Sequence, residues 1–205
     1  MLVVESARDI REKWHFNTDA VVVGLPGHQN SCGGSRVEET FDVVNEENRV
    51  VGRATRSQVH GNPSLLHRAA HVLVVNAAGE IFLQRRSRAK TVQPRKWDSS
   101  VGGHVNAGES YEAAAGREME EELGIVGASL EFLYTYIHRN AYESEYVATF
   151  RTSWEGPFQL HPEEIDDGRF WSFDEIDRRS REGIFTPNFL EELSRYRAWL
   201  VASGD

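Results

Sequence analysis

A single cysteine, Cys32, stands in the 205 residues of this chain. One thiol excludes an internal disulfide framework and any multi-cysteine zinc site, and it fits a reducing compartment. Basic side chains are also in deficit. Lys and Arg number 23 against 32 Asp and Glu, for a formal net charge of −9. Such an acidic chain is not built as a general nucleic-acid binder, although a local basic cluster can still hold a phosphate. Long apolar runs are missing too. None approaches the roughly 20 residues that span a bilayer, and the opening MLVVESARDIREKWHF carries charge early with no cleavable hydrophobic stretch. The expectation from these absences is a cytoplasmic protein with no membrane segment.

What is present suits one domain with decorations, long enough to bury about 70% of its unfolded surface. Residues 1–37 are expected to be an N-terminal extension, with a strand-like AVVVGL followed by the loop-forming GLPGHQNSCGGSR. Residues 38–205 carry the regular pattern. ETFDVVN and RVVGRATR predict a hairpin turning at Asn45–Asn48, and HRAAHVLVVN with IFLQRR predicts a second one turning at Gly79. KWDSSVGGHV reads as a short strand entering a loop. A helix is expected from Ser110 to Leu123, ended by Gly124. ASLEFLYTYIHR and SEYVATFRTSW read as strands, and DEIDRRSREG as a short charged helix. TPNFLEELSRYRAWLVAS reads as a terminal helix with a capping-box-like start, Thr186 or Asn188 before Glu191 and Glu192. Mixed strands with helices laid on them imply an α/β or α+β sandwich.

GGHVNAGESYEAAAGREMEEELGI, Gly102 to Ile125, concentrates glutamate beside two glycines and a histidine. On a helix, Glu118, Glu121 and Glu122 fall within an arc of about 100°. Ionised carboxylates that close repel one another and raise each other's pKa. A divalent cation removes the conflict, and hard oxygen ligands suit Mg²⁺ or Mn²⁺. A solvated acidic helix face is the plainer alternative, and charge alone favours it. Spacing decides otherwise. Gly103, Glu109, Arg117, Glu118, Met119, Glu121, Glu122, Gly124 and Ile125 match, position by position, the box that marks the Nudix hydrolase family.

The resemblance implies a Nudix α/β/α sandwich, α/β (α+β) in class, with a mixed sheet and a loop–helix–loop box. It implies that Glu109 pairs with Arg117 and that Glu118, Glu121 and Glu122 are metal ligands. It also implies that Mg²⁺ or Mn²⁺ is the cofactor and that the substrate is a small-molecule diphosphate. Ala114, Ala115, Met119 and Leu123 are expected to pack on the sheet. NEENRVVGRATRSQVHGNPSLLHRA, QRRSRAK and ESEYVATF further resemble the isopentenyl-diphosphate isomerase branch of the same superfamily. By that likeness His60, His67, His104, Glu122, Glu143 and Glu145 are metal ligands, and Arg56, Arg86 and Lys90 hold the diphosphate. Each histidine has a plainer alternative as a loop or backbone-bonded residue, and the basic loop one as a solvated surface. Imidazole suits Mn²⁺ or Zn²⁺ better than Mg²⁺.

One position departs from the isomerase. That enzyme carries a cysteine immediately before its Gly-His pair, where this chain has Gly102, which has no side chain to exchange a proton. With the acidic box complete, the expectation is hydrolysis: metal-assisted attack of water on a diphosphate linked to another group. Glu121 or Glu122 is the preferred general base, with Glu143 and Glu145 as rivals. The alternatives are a nucleotide-sensing module that does not turn over and a residual isomerase. The sequence fixes neither the substrate nor the oligomeric state, so a homodimer stays open.

Overall fold

The computed structural model describes residues 38–204. The strand-like AVVVGL, the GLPGHQNSCGGSR loop and Cys32 lie outside the described residues. Alternating side chains build the first hairpin, β1 (Thr40–Val44) and β2 (Val50–Thr55), with Thr40 opposite Thr55. Asn45 closes its turn by accepting from the backbone N–H groups of Glu47 and Arg49. A single helical turn, α1 (Arg56–Val59), follows directly and was not evident in the sequence. Its N-cap Thr55 is paired reciprocally with Gln58.

β3 (Leu66–Val75) is the axis of the sheet. It runs antiparallel to β1 at Val43–His67, antiparallel to β6 (Val101–His104), and parallel to β8 (Ser144–Ser153) along its whole length. β7 (Glu131–Arg139) lies antiparallel outside β8. The expected hairpin of β3 with β4 (Ile81–Arg86) turns at Gly79, which has a φ of 75°, but the two strands pair only at Val75–Ile81 and then diverge. The buried Ser100 hydroxyl spans the split, accepting from the Val74 N–H and donating to the Phe82 carbonyl. β4 pairs instead with β5 (Trp97–Asp98) and with β9 (Ile165–Trp171). β9, IDDGRFW, is polar in its middle and lacks the apolar run that marks β4, so it was not legible beforehand.

Side chains alternate across β3. Ala70, Val72 and Val74 meet α2 (Tyr111–Leu123) through Ala114, Ala115, Met119 and Leu123. Leu73 and Val75 face the other way, where Phe189, Leu193 and Tyr196 of α4 (Pro187–Ser203) and Ile176 of α3 (Phe173–Arg179) pack with Leu83, Leu133 and Trp171. Burying each large side chain contributes about 1.5–3 kcal/mol, so both helices are held by apolar contact. The result is an open mixed sheet between helices, an α+β architecture. Ser110 caps α2 by accepting from the Ala113 N–H, and Gly124 ends it at a φ of 68°. α4 is capped by Thr186, which accepts from the Phe189 N–H. Glu191 and Glu192 do not complete a capping box. Glu191 meets His138 and Arg195, and Glu192 is fully buried.

Candidate metal and phosphate site

The loop before α2 is fixed by a two-pronged contact. The Arg117 guanidinium donates to both Glu109 oxygens at 3.0 Å, and also to the His104 carbonyl at 3.0 Å and to Glu118 at 2.6 Å. Such a fork sets orientation as well as energy. Gly108 turns with a φ of 80°, whereas Gly103 is not in the left-handed region and is glycine for steric room. The Glu118 carboxylate occupies the space a Cβ there would need.

The three box glutamates differ in surroundings. The Glu122 carboxylate is buried and accepts from Gln84 at 3.0 Å. Burial, reinforced by the nearby Glu118 charge, pushes it up to about 8, with Lys90 and Gln84 only partly relieving it. Burial also raises Glu118, against the opposing effect of Arg117. Glu121 stands at the rim, its side chain 58% exposed and 3.5 Å from Arg117. The 100° arc is therefore real on the helix, while only Glu118 and Glu122 turn inward.

A second cluster lies on the opposite face of the sheet. His67 on β3, His104 on β6, Glu145 on β8 and Glu143 just before it each offer one ligand atom, all within 4.8 Å of one another. Register explains the gathering, since His67 pairs with Glu145, and His104 pairs with Ala69 two residues along β3. His67 Nδ1 is 3.2 Å from the Leu65 carbonyl. Donating there leaves the lone pair on Nε2, which is buried with no hydrogen-bond partner. His104 Nε2 is likewise without one, 3.4 Å from Glu145 and 4.0 Å from Glu143 but misaligned for hydrogen bonding. Two orphaned imidazole nitrogens facing two carboxylates are a donor set that a divalent cation satisfies, with the nitrogen favouring Mn²⁺ or Zn²⁺. His60 borders the group, with Nε2 3.5 Å from Glu143 and its ring 5.2 Å from His104.

Electrostatics bear the strain of this crowding. Burial, then His104 and Arg56, lower His60 to about 4, and burial with His104 lowers His67. Burial and the Glu145 charge push Glu143 up to about 7. Burial works against ionised Glu145, but the facing His104 outweighs it and holds that carboxyl below the usual range. Phe41, which sequence reasoning missed, stacks on His104 at 4.8 Å and on His67 at 5.7 Å. Gln84 was missed as well, since a glutamine in an apolar strand carries no signal of its partner.

The three basic residues each hold an ion pair of their own. Arg86 pairs with Asp98 at 3.1 Å, Lys90 with Glu164, and Arg56 with Glu39 at 2.5 Å. Burial and Arg86 lower the Lys90 ammonium, while Glu122 and Glu118 act on it in the other sense. Arg56 acts electrostatically on His60, His67, Glu143 and Lys90.

Residues 65–193 match the NUDIX domain family. An uncharacterized Nudix hydrolase of Yersinia pestis is 37% identical over 169 residues, covering 82% of this chain and 90% of its own. The chain belongs to the Nudix family. Another uncharacterized Nudix hydrolase, from Streptomyces coelicolor, is 37% identical over 172 residues, covering 83% of this chain and 94% of its own. Among solved structures, DR0079 from Deinococcus radiodurans superposes with a TM-score of 0.67 at 27% identity, covering 77% of this chain and 98% of that one. As a Nudix hydrolase the protein is a pyrophosphohydrolase acting on phosphorus-containing acid anhydrides of small molecules, and enzymes of the family generally need divalent cations. Among the described residues, no helix is long and apolar enough to cross a membrane.

Within the Nudix fold, β6 separates the two clusters. The missing side chain of Gly103 makes room for Glu118 on one face, and that of Gly102 makes room on the other, where His104 follows.

Proposed function

We propose that this Nudix hydrolase cleaves a diphosphate linkage in a nucleoside diphosphate joined to another group, or in a related organic diphosphate, using Mg²⁺ or Mn²⁺. The observation that carries the reading is the pair of buried, unpartnered nitrogens of His67 and His104 facing Glu143 and Glu145, one strand away from Glu118 and Glu122. His67, His104, Glu143 and Glu145 hold one cation, with His60 at its margin. Glu118 and Glu122 hold another, with Glu121 at the rim. When bound, a divalent cation neutralises phosphate charge and lowers the pKa of a coordinated water. Arg56, Arg86 and Lys90 bind phosphate oxygens, Arg through its fork and Lys as a point charge.

Glu122 is the general base favoured over Glu121, because it is buried and held by Gln84 while Glu121 is turned outward. Glu145 is the rival on the opposite face. The histidine set supports placement on the isomerase-like branch, and Gly102 supports hydrolysis within it, since no side chain there can carry a proton to or from carbon. Residues 38–205 are taken as the hydrolase domain, with 1–37 as an extension.

The test is a product screen with Mg²⁺ and Mn²⁺ across nucleoside diphosphate conjugates, nucleoside triphosphates and prenyl diphosphates, run beside ligand-induced melting shifts. Cleavage of a diphosphate bond in at least one class is expected, with no dimethylallyl diphosphate formed from isopentenyl diphosphate. Binding without turnover on every hit would make the protein a sensor, and isomer formation would restore the isomerase reading.

A further inference from the structure

Glu192 is fully buried, yet it sits in an otherwise apolar region of α4. Three side chains satisfy it. His71 Nδ1 on β3 lies 3.1 Å from Oε1, the Thr149 hydroxyl on β8 donates to the same oxygen at 2.9 Å, and the Ser99 hydroxyl donates to Oε2. Breaking such a cage would leave a charge without compensation, which is strongly unfavourable. His71 and Thr149 are register partners, so sheet pairing itself delivers them to one point under α4. The other register partner of His71 is Gly102 on β6.

This cage uses only half of the imidazole. Nδ1 serves Glu192, while Nε2 points toward Gly102, 3.4 Å from where a Cβ on that glycine would stand. Among the described residues Nε2 has no hydrogen-bond partner, and the side chain keeps 12% of its surface open. Two residues along β6 lies His104 of the candidate cation site, a displacement of about 7 Å. The ionisable groups that act on His71 are Glu192 on α4, Glu145 on β8 and Asp98 on β5, all acidic. Burial opposes the charge on the ring, but Glu192 outweighs burial and keeps it an imidazolium, raised to about 9. With Nδ1 held by Glu192, the imidazolium carries a second N–H, at Nε2, that has no partner among the described residues.

We propose that His71 forms a binding subsite, with Gly102 as its floor, for an anionic oxygen of the substrate, and that Glu192, Ser99 and Thr149 are the residues that position it. The ligand class is a phosphoryl oxygen of the group remote from the one at the His104 cation. The glycine is part of the device. A Cβ at position 102 would come within 3.3 Å of the ring carbon Cδ2 and close the space in front of Nε2. The subsite rests on the diphosphate reading given above and adds to it a contact that distinguishes diphosphates by what lies beyond the first phosphate.

The experiment is calorimetric binding of methylenediphosphonate, a diphosphate that cannot be hydrolysed, to the full chain with Mn²⁺ present, alongside a titration of Mn²⁺ alone. His71→Asn keeps a donor toward Glu192 and removes Nε2. Should that variant fail to fold, His71→Gln combined with Glu192→Gln replaces the ion pair with a neutral one. Either folded variant is expected to bind the diphosphonate about tenfold more weakly or worse, the loss typical of one charge-assisted hydrogen bond, with Mn²⁺ affinity unchanged. In the wild type with Mg²⁺, the His71 Nε2 nuclear resonance should shift on saturation with the diphosphonate. Wild-type affinity in a folded variant, or a stationary Nε2 resonance, overturns the subsite while leaving the diphosphate reading intact. No binding to the wild type under any cation removes both.

Discussion

Gly103 and Glu118 occupy the same space in turn: the carboxylate of one fills the position that a side chain on the other would take. The requirement is steric rather than conformational, since Gly103 has no left-handed φ. Gly103→Ala should force the Glu118 carboxylate to swing away from its 2.6 Å contact with Arg117. The expected result is a loss of about tenfold or more in kcat/KM, one lost charged contact's worth, with a thermal midpoint close to wild type. Full activity in Gly103→Ala would show that Glu118 has no need to be where it is.

Arg117 ties the loop to the helix through its fork on Glu109. Lysine cannot make that bidentate contact. Arg117→Lys should lower unfolding stability by about 1.5–3 kcal/mol, the range for hydrogen bonds to charged groups, measured by denaturant titration. A variant as stable as wild type would mean that the fork is incidental.

The His71–Glu192 pair should make stability depend on pH in a defined window. An unfolded histidine titrates near 6.5, and in the fold burial lowers this value while Glu192 more than offsets it, to about 9. Between those values the folded chain holds a proton that the unfolded chain has released. The contribution is complete below pH 6.5 and is lost as pH rises through 9, an amount on the order of 3 kcal/mol. Wild type should exceed the His71→Gln, Glu192→Gln double variant in stability at pH 6 by more than it does at pH 9.5. A difference that stays constant over that range would contradict the assignment.

Removal of a ligand from the histidine cluster should be visible without any substrate. Mn²⁺ at a hundred times its Kd stabilises a protein by about 2.7 kcal/mol through mass action. His104→Ala or Glu145→Gln should weaken Mn²⁺ by about tenfold or more and shrink the melting shift accordingly. An identical Mn²⁺ shift in both variants would place the ion elsewhere.

Legibility in the sequence followed the range of the interactions. The helix at Tyr111–Leu123, its Ser110 and Gly124 ends and its packed alanines were readable because periodicity and capping are local. The box was readable because it matches a family pattern. The divergence of β3 from β4 was not, since Ser100 bridges that split from outside both strands. Neither was the role of Glu192. Its place after Thr186 suggested a cap, and only the register of β3 with β8 brings His71 and Thr149 beneath it. Likewise the outward turn of Glu121 depends on its rotamer and Arg117, which helical spacing alone does not specify.

The most direct test compares the cation-dependent hydrolysis rate of a responsive diphosphate in wild type and in Glu122→Gln, each with Mn²⁺ and after chelation. The expected outcome is turnover in the wild type that disappears with the cation, and a loss of about a hundredfold or more in a variant that remains folded. Undiminished turnover in folded Glu122→Gln, or wild-type turnover that survives complete chelation, would contradict it.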